Sequence, residues 1–352
     1  MGELRIDGRR STFEPGETLL DAARRAGVEI PTLCYDPRLA PGGSCRLCLV
    51  EVEGRAAPVP ACAFPAAEGL AVRTESATLS AYRTRLLELT LSELPERDCR
   101  HCAEIGPCEL HALAARYGAT GGRYRGATSG ARVDDGNPFI LRDYEQCIYC
   151  YRCTRVCNEL EQAHAIAPAG RGFGTRIATL LERGLVDTTC TFCGQCINTC
   201  PTGALGDLPR SGRARATEIT ASVRTVCPFC GTGCGIQLDV AGNRVVGVRP
   251  DFASPVSHGS LCVKGQFGWE FICSPDRLTT PLVRVDGLLR PASWDEALGV
   301  VAERLASIRD AHGPDSIVLW SSARATSEAN YLFQKFARAV IGTNNVDNCA
   351  RT

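Results

Sequence analysis

The sequence has 352 residues, enough for two or three ordinary domains. Its 39 basic and 39 acidic residues cancel, which argues against binding to nucleic acid or to an anionic membrane through bulk charge. No apolar run approaches the ~18 residues that a membrane helix needs, and no secretory signal is visible, so we expect a cytoplasmic protein without a membrane segment. The 21 cysteines occur in spaced groups, which in such a protein indicate metal ligands more often than disulfides.

The first part of the chain is expected to be a small β-rich domain followed by helices and loops. In chain order the sequence predicts a hairpin turning at Gly8, a helix from Thr18 to Gly27, a strand over 47–52, a helix over 79–94, and loops over 118–137 and 206–216.

The pattern changes after about residue 279. Ser293 and Glu296 form a capping box that opens an amphipathic helix, with one apolar face running from Trp294 to Ile308. The sequence then predicts a short buried strand over 317–320 and a helix over 327–341. Helix, strand, helix is how an α/β domain begins, and such a unit alone cannot bury its apolar faces.

The first cysteine group contains Cys34, Cys45, Cys48 and Cys62. Two of its members border the glycine-rich loop 41–44, where backbone N–H groups can approach bridging sulfides. Four thiolates in this setting predict a [2Fe–2S] cluster, with structural zinc as the alternative.

The second group has only three cysteines, Cys99, Cys102 and Cys108, which leaves a four-iron cluster one ligand short. His101 is the nearest candidate for the fourth ligand, and Asp98 is another. The remaining histidines are expected to be surface, core or loop residues rather than ligands: His111, His164, His258 and His312.

The third and fourth groups each repeat C-x2-C-x2-C-x3-C, the spacing of bacterial two-cluster ferredoxins. In this arrangement the fourth cysteine of each run binds the cluster of the other run, because a short loop wraps three corners of a cube and the fourth corner faces the partner loop. We therefore predict two [4Fe–4S] clusters, one bound by Cys147, Cys150, Cys153 and Cys200 and the other by Cys190, Cys193, Cys196 and Cys157.

The fifth group suits a further [4Fe–4S] cluster and is followed closely by Lys264, one of two lysines in the chain. A positive charge beside a cluster would lower the energy of an added electron, whereas the alternative is a solvated surface group. The last two cysteines, Cys273 and Cys349, are expected to pack as small apolar groups. The ligands predicted for the fifth cluster are Cys227, Cys230, Cys234 and Cys262.

Five such centres in one chain predict a conductor of single electrons. The run from Cys227 to Cys234, with Cys262-Val-Lys264-Gly265 after it, resembles the [4Fe–4S] domain that opens molybdenum or tungsten bis-pterin oxidoreductases. Residues 336–351 resemble formate dehydrogenase catalytic subunits. Residues 1–118 resemble the N-terminal part shared by the large iron–sulfur subunit of respiratory complex I, NAD-linked formate dehydrogenases and iron-only hydrogenases. The order of these matches is similar to the alpha subunit of a soluble, NAD-linked formate dehydrogenase.

The resemblance implies an α+β multidomain fold. It consists of a β-grasp [2Fe–2S] ferredoxin domain, a helical iron–sulfur segment, a bacterial two-cluster ferredoxin domain, a [4Fe–4S] bis-pterin-type domain and the truncated start of an α/β molybdopterin oxidoreductase domain. The expected ranges, in that order, are 1–78, 79–118, 138–209, 223–278 and 279–352, with linkers over 119–137 and 210–222.

The same resemblance implies oxidation of formate to CO2 at a molybdenum or tungsten ion held by two pterin guanine dinucleotides. Electrons would pass Lys264 to the fifth-group cluster, cross the two ferredoxin-type clusters and then the N-terminal clusters, and reach a partner subunit that binds flavin and NAD. The chain would hold one [2Fe–2S] and three or four [4Fe–4S] clusters in all. The metal-ligating cysteine or selenocysteine is expected immediately after Thr352, so no catalytic residue is expected within the chain, and residues 1–352 alone are expected to be inactive on formate. A selenocysteine UGA codon read as a stop would explain that end, and another truncation or a frameshift is the alternative.

One position departs from the family pattern. The second cluster of the family usually has a histidine four residues before its first cysteine, and Pro95 occupies that position here. The ligand set of the second group, or its occupancy, therefore stays open. Three alternatives to a formate dehydrogenase also stay open: the large iron–sulfur subunit of complex I, an iron-only hydrogenase, and a non-catalytic electron-transfer scaffold.

Overall fold

The computed structural model describes residues 1–95, 100–104, 106–124, 126–128 and 133–349, without the side chains of Arg100 and His101. Cys99 and Asp98, and the side chain of His101, therefore lie outside the described residues. Within the described part of the chain, no helix combines the length and the apolar character needed to cross a membrane.

A five-stranded sheet with one helix forms the N-terminal unit. The strand order is β2-β1-β5-β3-β4, with β1 and β5 parallel and the other neighbours antiparallel. The side chain of Thr18 accepts the N–H of Asp21, so the predicted cap and the predicted hairpin are both confirmed. The elements are β1 Gly2–Ile6, β2 Arg9–Phe13, α1 Leu19–Arg25, β3 Leu49–Val52, β4 Val59–Pro60 and β5 Ala71–Arg73.

Three helices follow this sheet: α2 Ala77–Leu91, α3 Arg100–Glu104 and α4 Glu109–Tyr117. The predicted helix over 79–94 begins two residues earlier than expected, because the hydroxyl of Ser76 caps it, and it ends at Leu91. Leu87 of α2 and Leu110 of α4 are buried in one apolar cluster with Leu33 and Leu47. The helices thus cover the loops that carry the first cysteine group.

Arg83 of α2 is fully buried and holds the helix to the sheet. Its guanidinium donates to the carbonyls of Leu47 at 3.1 Å, Leu49 at 2.9 Å and Thr74 at 2.9 Å. Nη1 also lies 2.8 Å from the carboxylate of Glu75. These bonds compensate the buried charge.

The next unit contains the third and fourth cysteine groups. Strand β6 pairs antiparallel with β9, and β7 pairs with β8. The loop predicted over 206–216 is wrong at its start, because Gly206 pairs with Leu141 and the flanking Leu205 and Asp207 are buried. The elements are β6 Ile140–Arg142, α5 Arg152–Arg155, β7 Ala167–Ala169, β8 Arg176–Ala178, α6 Gln195–Thr199 and β9 Leu205–Asp207, and α5 runs on as a π-helical turn over Val156–Leu160.

An antiparallel meander carries the fifth group. It consists of β10 Ala221–Val226, β11 Gly235–Ala241 and β12 Arg244–Pro250, followed by α7 Val263–Phe267. Asp239 on β11 is buried and lies 2.5 Å from Nη1 of Arg210 and 2.7 Å from Nη2 of Arg249. Because Arg210 follows β9, this buried ion pair joins the meander to the preceding unit.

The last unit begins an α/β arrangement, as expected. Its elements are β13 Leu282–Val285, β14 Leu288–Pro291, α8 Trp294–His312, β15 Leu319–Ser321, α9 Ser327–Phe336 and β16 Val346–Asn348, and α9 runs on as a π-helical turn over Ala337–Ile341. Strands β15 and β16 are parallel. The apolar face of α8 stays exposed, with Trp294 70% and Leu298 58% accessible. A contiguous apolar face of this kind is typical of a contact surface.

We expect Arg83→Met to lower the free energy of unfolding by about 3 kcal/mol, because three buried carbonyl oxygens and a carboxylate lose their donor. Anaerobic thermal unfolding measures this loss. Arg85→Met is the matched control, since Arg85 is largely exposed and makes one ion pair with Glu88, and it should cost less than ~1 kcal/mol. Equal losses in the two variants would contradict the role given to Arg83.

Candidate iron–sulfur centres

The first cysteine group forms two pairs of thiols. Cys34 interacts with Cys45, and Cys48 interacts with Cys62. The hydrogen bond from the Cys45 thiol, with further donors at Ser44, lowers the pKa of Cys34. Two pairs of adjacent thiols suit a two-iron cluster, in which each iron takes two protein ligands.

Backbone N–H groups point at the same sulfurs. The N–H of Cys45 lies 3.4 Å from Sγ of Cys34, and the N–H of Leu33 lies 3.4 Å from Sγ of Cys45. Such donors stabilise negative charge on sulfur and tune the potential of a bound cluster.

The second group contains a residue that the sequence reasoning missed. Nδ1 of His111 lies 3.2 Å from Sγ of Cys102 and 3.5 Å from Sγ of Cys108. His111 is exposed, as expected of a surface residue, and it also lies beside two cysteines of this group. The signal that could have found it is its position three residues after Cys108, since Cys108 is the N-cap of α4 and the side chains of N-cap and N3 residues meet.

The third and fourth groups line two neighbouring cavities. One cavity is lined by three cysteines of the first run and by the last cysteine of the second run, and the other cavity has the reverse combination. The walls between the cysteines are mostly apolar, with Leu205 shared by both cavities. The cysteines are Cys147, Cys150, Cys153 and Cys200 in one cavity, and Cys157, Cys190, Cys193 and Cys196 in the other.

Burial raises the pKa of six of these eight cysteines, which favours their protonated form when nothing binds them. It raises the pKa of Cys147 to about 12 and that of Cys193 to about 11, and it raises the pKa of the fully buried Cys153 and Cys196 well above the usual range. A bound cation would reverse this preference, because thiolate is the ligating form. The donor set and the shape of each cavity therefore fit a four-thiolate cluster.

The third and fourth groups share an unusual backbone conformation, a non-glycine residue with positive φ. Tyr149 and Phe192, each two residues after the first cysteine of a run, have φ of 51° and 52°. Their N–H groups each lie 3.4 Å from the sulfur of that cysteine, Cys147 or Cys190. The left-handed residue turns the chain around the cavity and aims the N–H at the sulfur.

The fifth group lies between the end of β10 and the start of α7. Burial raises the pKa of Cys227, and the charge of Lys264 acts in the opposite direction. A hydrogen bond with Thr232 lowers the pKa of the exposed Cys230. The side chain of Lys264 is exposed, and its charge reaches two of the four thiols.

The two cysteines outside the groups differ from each other. Cys273 is half-buried. Cys349 is exposed, so the expectation that it packs as an apolar group is wrong. Its sulfur lies 3.4 Å from the N–H of Ala323 and 3.5 Å from the hydroxyl of Ser322, because β16 ends beside that loop.

The fifth group contacts the fourth through α7. The amide of Asn198, between two cysteines of the fourth group, donates to the side chain of Gln266 at 2.8 Å. A ladder of aromatic rings runs beside this bond: Phe267 stacks on Phe139 at 5.0 Å between centroids, and Phe139 meets Phe192 at 5.4 Å. Protein atoms thus fill the space between the two sites.

The third group contacts the first. Cys150 and Cys45 line one cavity together with Leu33. Arg152, buried beside Cys153, donates to the carbonyl of Leu33 at 3.3 Å.

Polar side chains complete the contact between the unit of the third and fourth groups and the first group. Asp36 accepts from Thr199 at 2.7 Å and is ion-paired with Arg38, whose other nitrogen donates to Gln195 at 2.8 Å. Burial opposes the ionisation of Asp36, but the donors Arg38 and Thr199 outweigh it and lower its pKa to about 2. The described sites therefore follow one another without a gap in packing, from the fifth group to the first.

Comparison with known proteins gives the same order of units. Four family models match the chain: 2Fe-2S iron-sulfur cluster binding domain over 2–77, NADH-quinone oxidoreductase subunit 3 ferredoxin-like domain over 137–206, molybdopterin oxidoreductase Fe4S4 domain over 220–274, and molybdopterin oxidoreductase over 277–352. Together they cover most of the sequence.

Several relatives match the whole chain. NADPH-Fe(3+) oxidoreductase subunit alpha of Geobacter sulfurreducens is 39% identical over 351 residues, and an NADH-quinone oxidoreductase subunit of Rhizobium meliloti is 38% identical over 353. Each alignment covers 100% of this chain and 40% of the relative. A Staphylococcus aureus protein named "Putative formate dehydrogenase" is 30% identical over 387 residues, covering 98% of this chain and 39% of that protein. This chain thus spans about two fifths of the length of the curated relatives that it matches.

A solved structure agrees with this grouping. A chain of an NAD+-reducing [NiFe]-hydrogenase in the H2-reduced state matches with a TM-score of 0.55 and 33% identity, over 60% of this chain and 90% of that one. The family models and the relatives together support a molybdopterin oxidoreductase iron–sulfur subunit, similar to the matched NADH-quinone oxidoreductase and "Putative formate dehydrogenase" proteins. The expected α+β multidomain architecture is confirmed, and the family carries [2Fe–2S] and [4Fe–4S] clusters.

A buried carboxyl group lies beside the contact between the fourth and fifth groups. Asp207 accepts the N–H of Arg210 at 3.0 Å and the amide of Gln266 at 3.3 Å. Burial raises its pKa to about 6 despite these bonds. The folded protein therefore holds this proton more tightly than the unfolded chain does. Its stabilising contribution is fully present below the unfolded pKa of 3.8 and is lost as the pH rises through about 6.

We expect Asp207→Asn, which mimics the protonated carboxyl, to stabilise the protein by about 2 kcal/mol at pH 8, with the advantage shrinking as the pH falls below about 6. Anaerobic thermal unfolding between pH 8 and pH 5 measures the difference. Asp187→Asn, at an exposed carboxyl, serves as the control and should give no such trend. A variant less stable than the parent at pH 8 would contradict the prediction.

Proposed function

We propose that this chain is the iron–sulfur relay of a molybdopterin-dependent formate dehydrogenase. The observation that carries the proposal is the unbroken contact from the fifth cysteine group, through α7 and the aromatic ladder, to the fourth, third and first groups. Bound clusters would supply one-electron oxidation and reduction at each site.

The ligand assignment follows the thiols that lie together. The pairs Cys34/Cys45 and Cys48/Cys62 would hold a [2Fe–2S] cluster, each pair on one iron. Three sets of four cysteines would hold [4Fe–4S] clusters: Cys147, Cys150, Cys153 and Cys200; Cys190, Cys193, Cys196 and Cys157; and Cys227, Cys230, Cys234 and Cys262.

The protein side of the relay acts through packing and charge. The apolar walls around the third and fourth groups exclude water, which strengthens every charge interaction inside. The N–H groups of Tyr149 and Phe192 stabilise electron density on the sulfurs that they face. Lys264, whose charge acts on Cys227 and Cys230, would favour the arrival of an electron at the fifth group.

Formate is the substrate that we propose for the whole protein. The support is the similarity of residues 336–351 to formate dehydrogenase catalytic subunits and the name of the Staphylococcus aureus relative. The electrons would leave the first group for a partner subunit that binds flavin and NAD. The hydrogenase chain and the Rhizobium meliloti subunit, whose names refer to NAD+ and NADH, support that partner.

A second candidate is a relay driven by NADPH. The observation in its favour is the higher identity to the Geobacter sulfurreducens relative, 39% against 30% for the Staphylococcus aureus protein. In that case electrons would enter from the nucleotide side and run through the same groups in the opposite direction.

Reduction of the clusters separates the two candidates. In the full protein with its partner subunits, isolated anaerobically, we expect formate to bleach the visible absorbance of the clusters, because its two electrons enter at the pterin centre. Acetate is the control, since it shares the carboxylate but has no hydrogen on the carboxyl carbon to give up. Bleaching by NADPH but not by formate would favour the second candidate and contradict the first.

The charge at position 264 gives a second prediction. We expect Lys264→Met to lower the midpoint potential of the fifth-group cluster by about 30 mV, or roughly 0.7 kcal/mol for one electron, because a nearby positive charge is removed. Lys335→Met is the matched control, since it removes the one other lysine, on α9. Redox titration followed by EPR measures both potentials. No difference between the variants would leave Lys264 as a solvated surface group.

A further inference from the structure

The second cysteine group is more compact than the others. The ligand atoms of Cys102, Cys108 and His111 all lie within 4.8 Å of one another. Among the described residues no other set of three cysteine, histidine or acidic side chains is this close. The third, fourth and fifth groups, whose twelve cysteines are all described, are more widely spaced.

The local fold explains why His111 faces the two cysteines. Cys108 is the N-cap of α4 and His111 is its third residue, so both side chains point to the same side of the first turn. The helix is held in place from outside the group: the N–H of Leu110 donates to the carbonyl of Pro201 at 3.3 Å, and Glu109 pairs with Arg152 at 2.8 Å.

The spacing of these atoms fits one ion better than a cube of four irons. Zinc binds sulfur at about 2.3 Å and imidazole nitrogen at about 2.0 Å, so two such ligands at a tetrahedral angle lie about 3.5 Å apart. Nδ1 of His111 lies 3.2 Å from Sγ of Cys102 and 3.5 Å from Sγ of Cys108, close to this value. In a [4Fe–4S] cluster each protein ligand binds a different iron, which holds the ligand atoms farther apart.

The four-iron cluster that the family carries here does not fit these residues. The histidine that the family places before the first cysteine is replaced by Pro95, and His111 forms a smaller site with Cys102 and Cys108. We propose that Cys102, Cys108 and Nδ1 of His111 bind a single zinc ion in tetrahedral geometry.

A zinc ion would not carry electrons, and the relay does not need a redox centre at the second group. Cys45 and Cys150 share a cavity, so the first and third groups are neighbours without the second. Zinc would displace the thiol protons and fix the start of α4. It would thereby hold Glu109 against Arg152, whose guanidinium touches the first and fourth groups through Leu33 and Thr199.

Metal content tests this site independently of the relay. In the full chain, expressed anaerobically with iron–sulfur assembly, we expect one zinc and about 14 iron atoms per chain, from one two-iron and three four-iron clusters. X-ray absorption at the zinc edge should show sulfur and nitrogen neighbours at about 2.3 Å and 2.0 Å. About 18 iron atoms without zinc would overturn the proposal, as would zinc surrounded by oxygen ligands alone. Loss of iron at the other groups would instead count against the relay.

Variants of His111 test whether this side chain is a zinc ligand. We expect His111→Ala to reduce zinc retention at least about tenfold while iron content stays unchanged. His111→Cys should restore zinc with a further sulfur neighbour, which keeps the test decisive if the alanine variant misfolds. His312→Ala, an exposed histidine at the end of α8, is the control and should retain zinc. Full zinc retention in His111→Ala would overturn the assignment of His111.

Discussion

Thiols in apolar surroundings are the constraint on which this molecule depends. Burial, with the neighbouring thiols, raises the pKa of Cys153 and Cys196 well above the usual range, and burial also raises the pKa of Cys147, Cys150, Cys190 and Cys193. A metal cluster removes that penalty by replacing the protons with cations. Cluster binding at these cysteines would therefore contribute its free energy directly to folding.

The neighbouring sites are held together by a few buried polar groups. Arg152 joins the first and fourth groups through Leu33 and Thr199, and Gln266 joins the fourth to the fifth. Breaking one member of such a network leaves the others unpaired in a low-dielectric interior, which is costly. The same contacts that stabilise the fold thus fix the spacing between electron-transfer sites.

Much of this arrangement could be predicted from the sequence, because cysteine spacing reports directly on cluster geometry. The exchange of Cys157 and Cys200 between two cavities was visible in the repeated run. The position of His111 beside Cys102 and Cys108 was not predicted, because it depends on Cys108 being the N-cap of α4, which brings the N-cap and N3 side chains together. The strand at Gly206 was missed because glycine and proline nearby indicate a loop, whereas burial of its neighbours decided the pairing.

The amphipathic pattern of α8 was clear in the sequence, but whether another element covers its apolar face depends on tertiary contacts that periodicity does not encode.

The central claim, a row of thiolate-bound clusters, is tested most directly by Mössbauer spectroscopy of the protein isolated anaerobically with iron-57. The account predicts four-iron and two-iron signals in a ratio of about six to one by iron, from three [4Fe–4S] and one [2Fe–2S] clusters. A protein free of cluster iron, with zinc at the Cys147 and Cys190 runs, would contradict it.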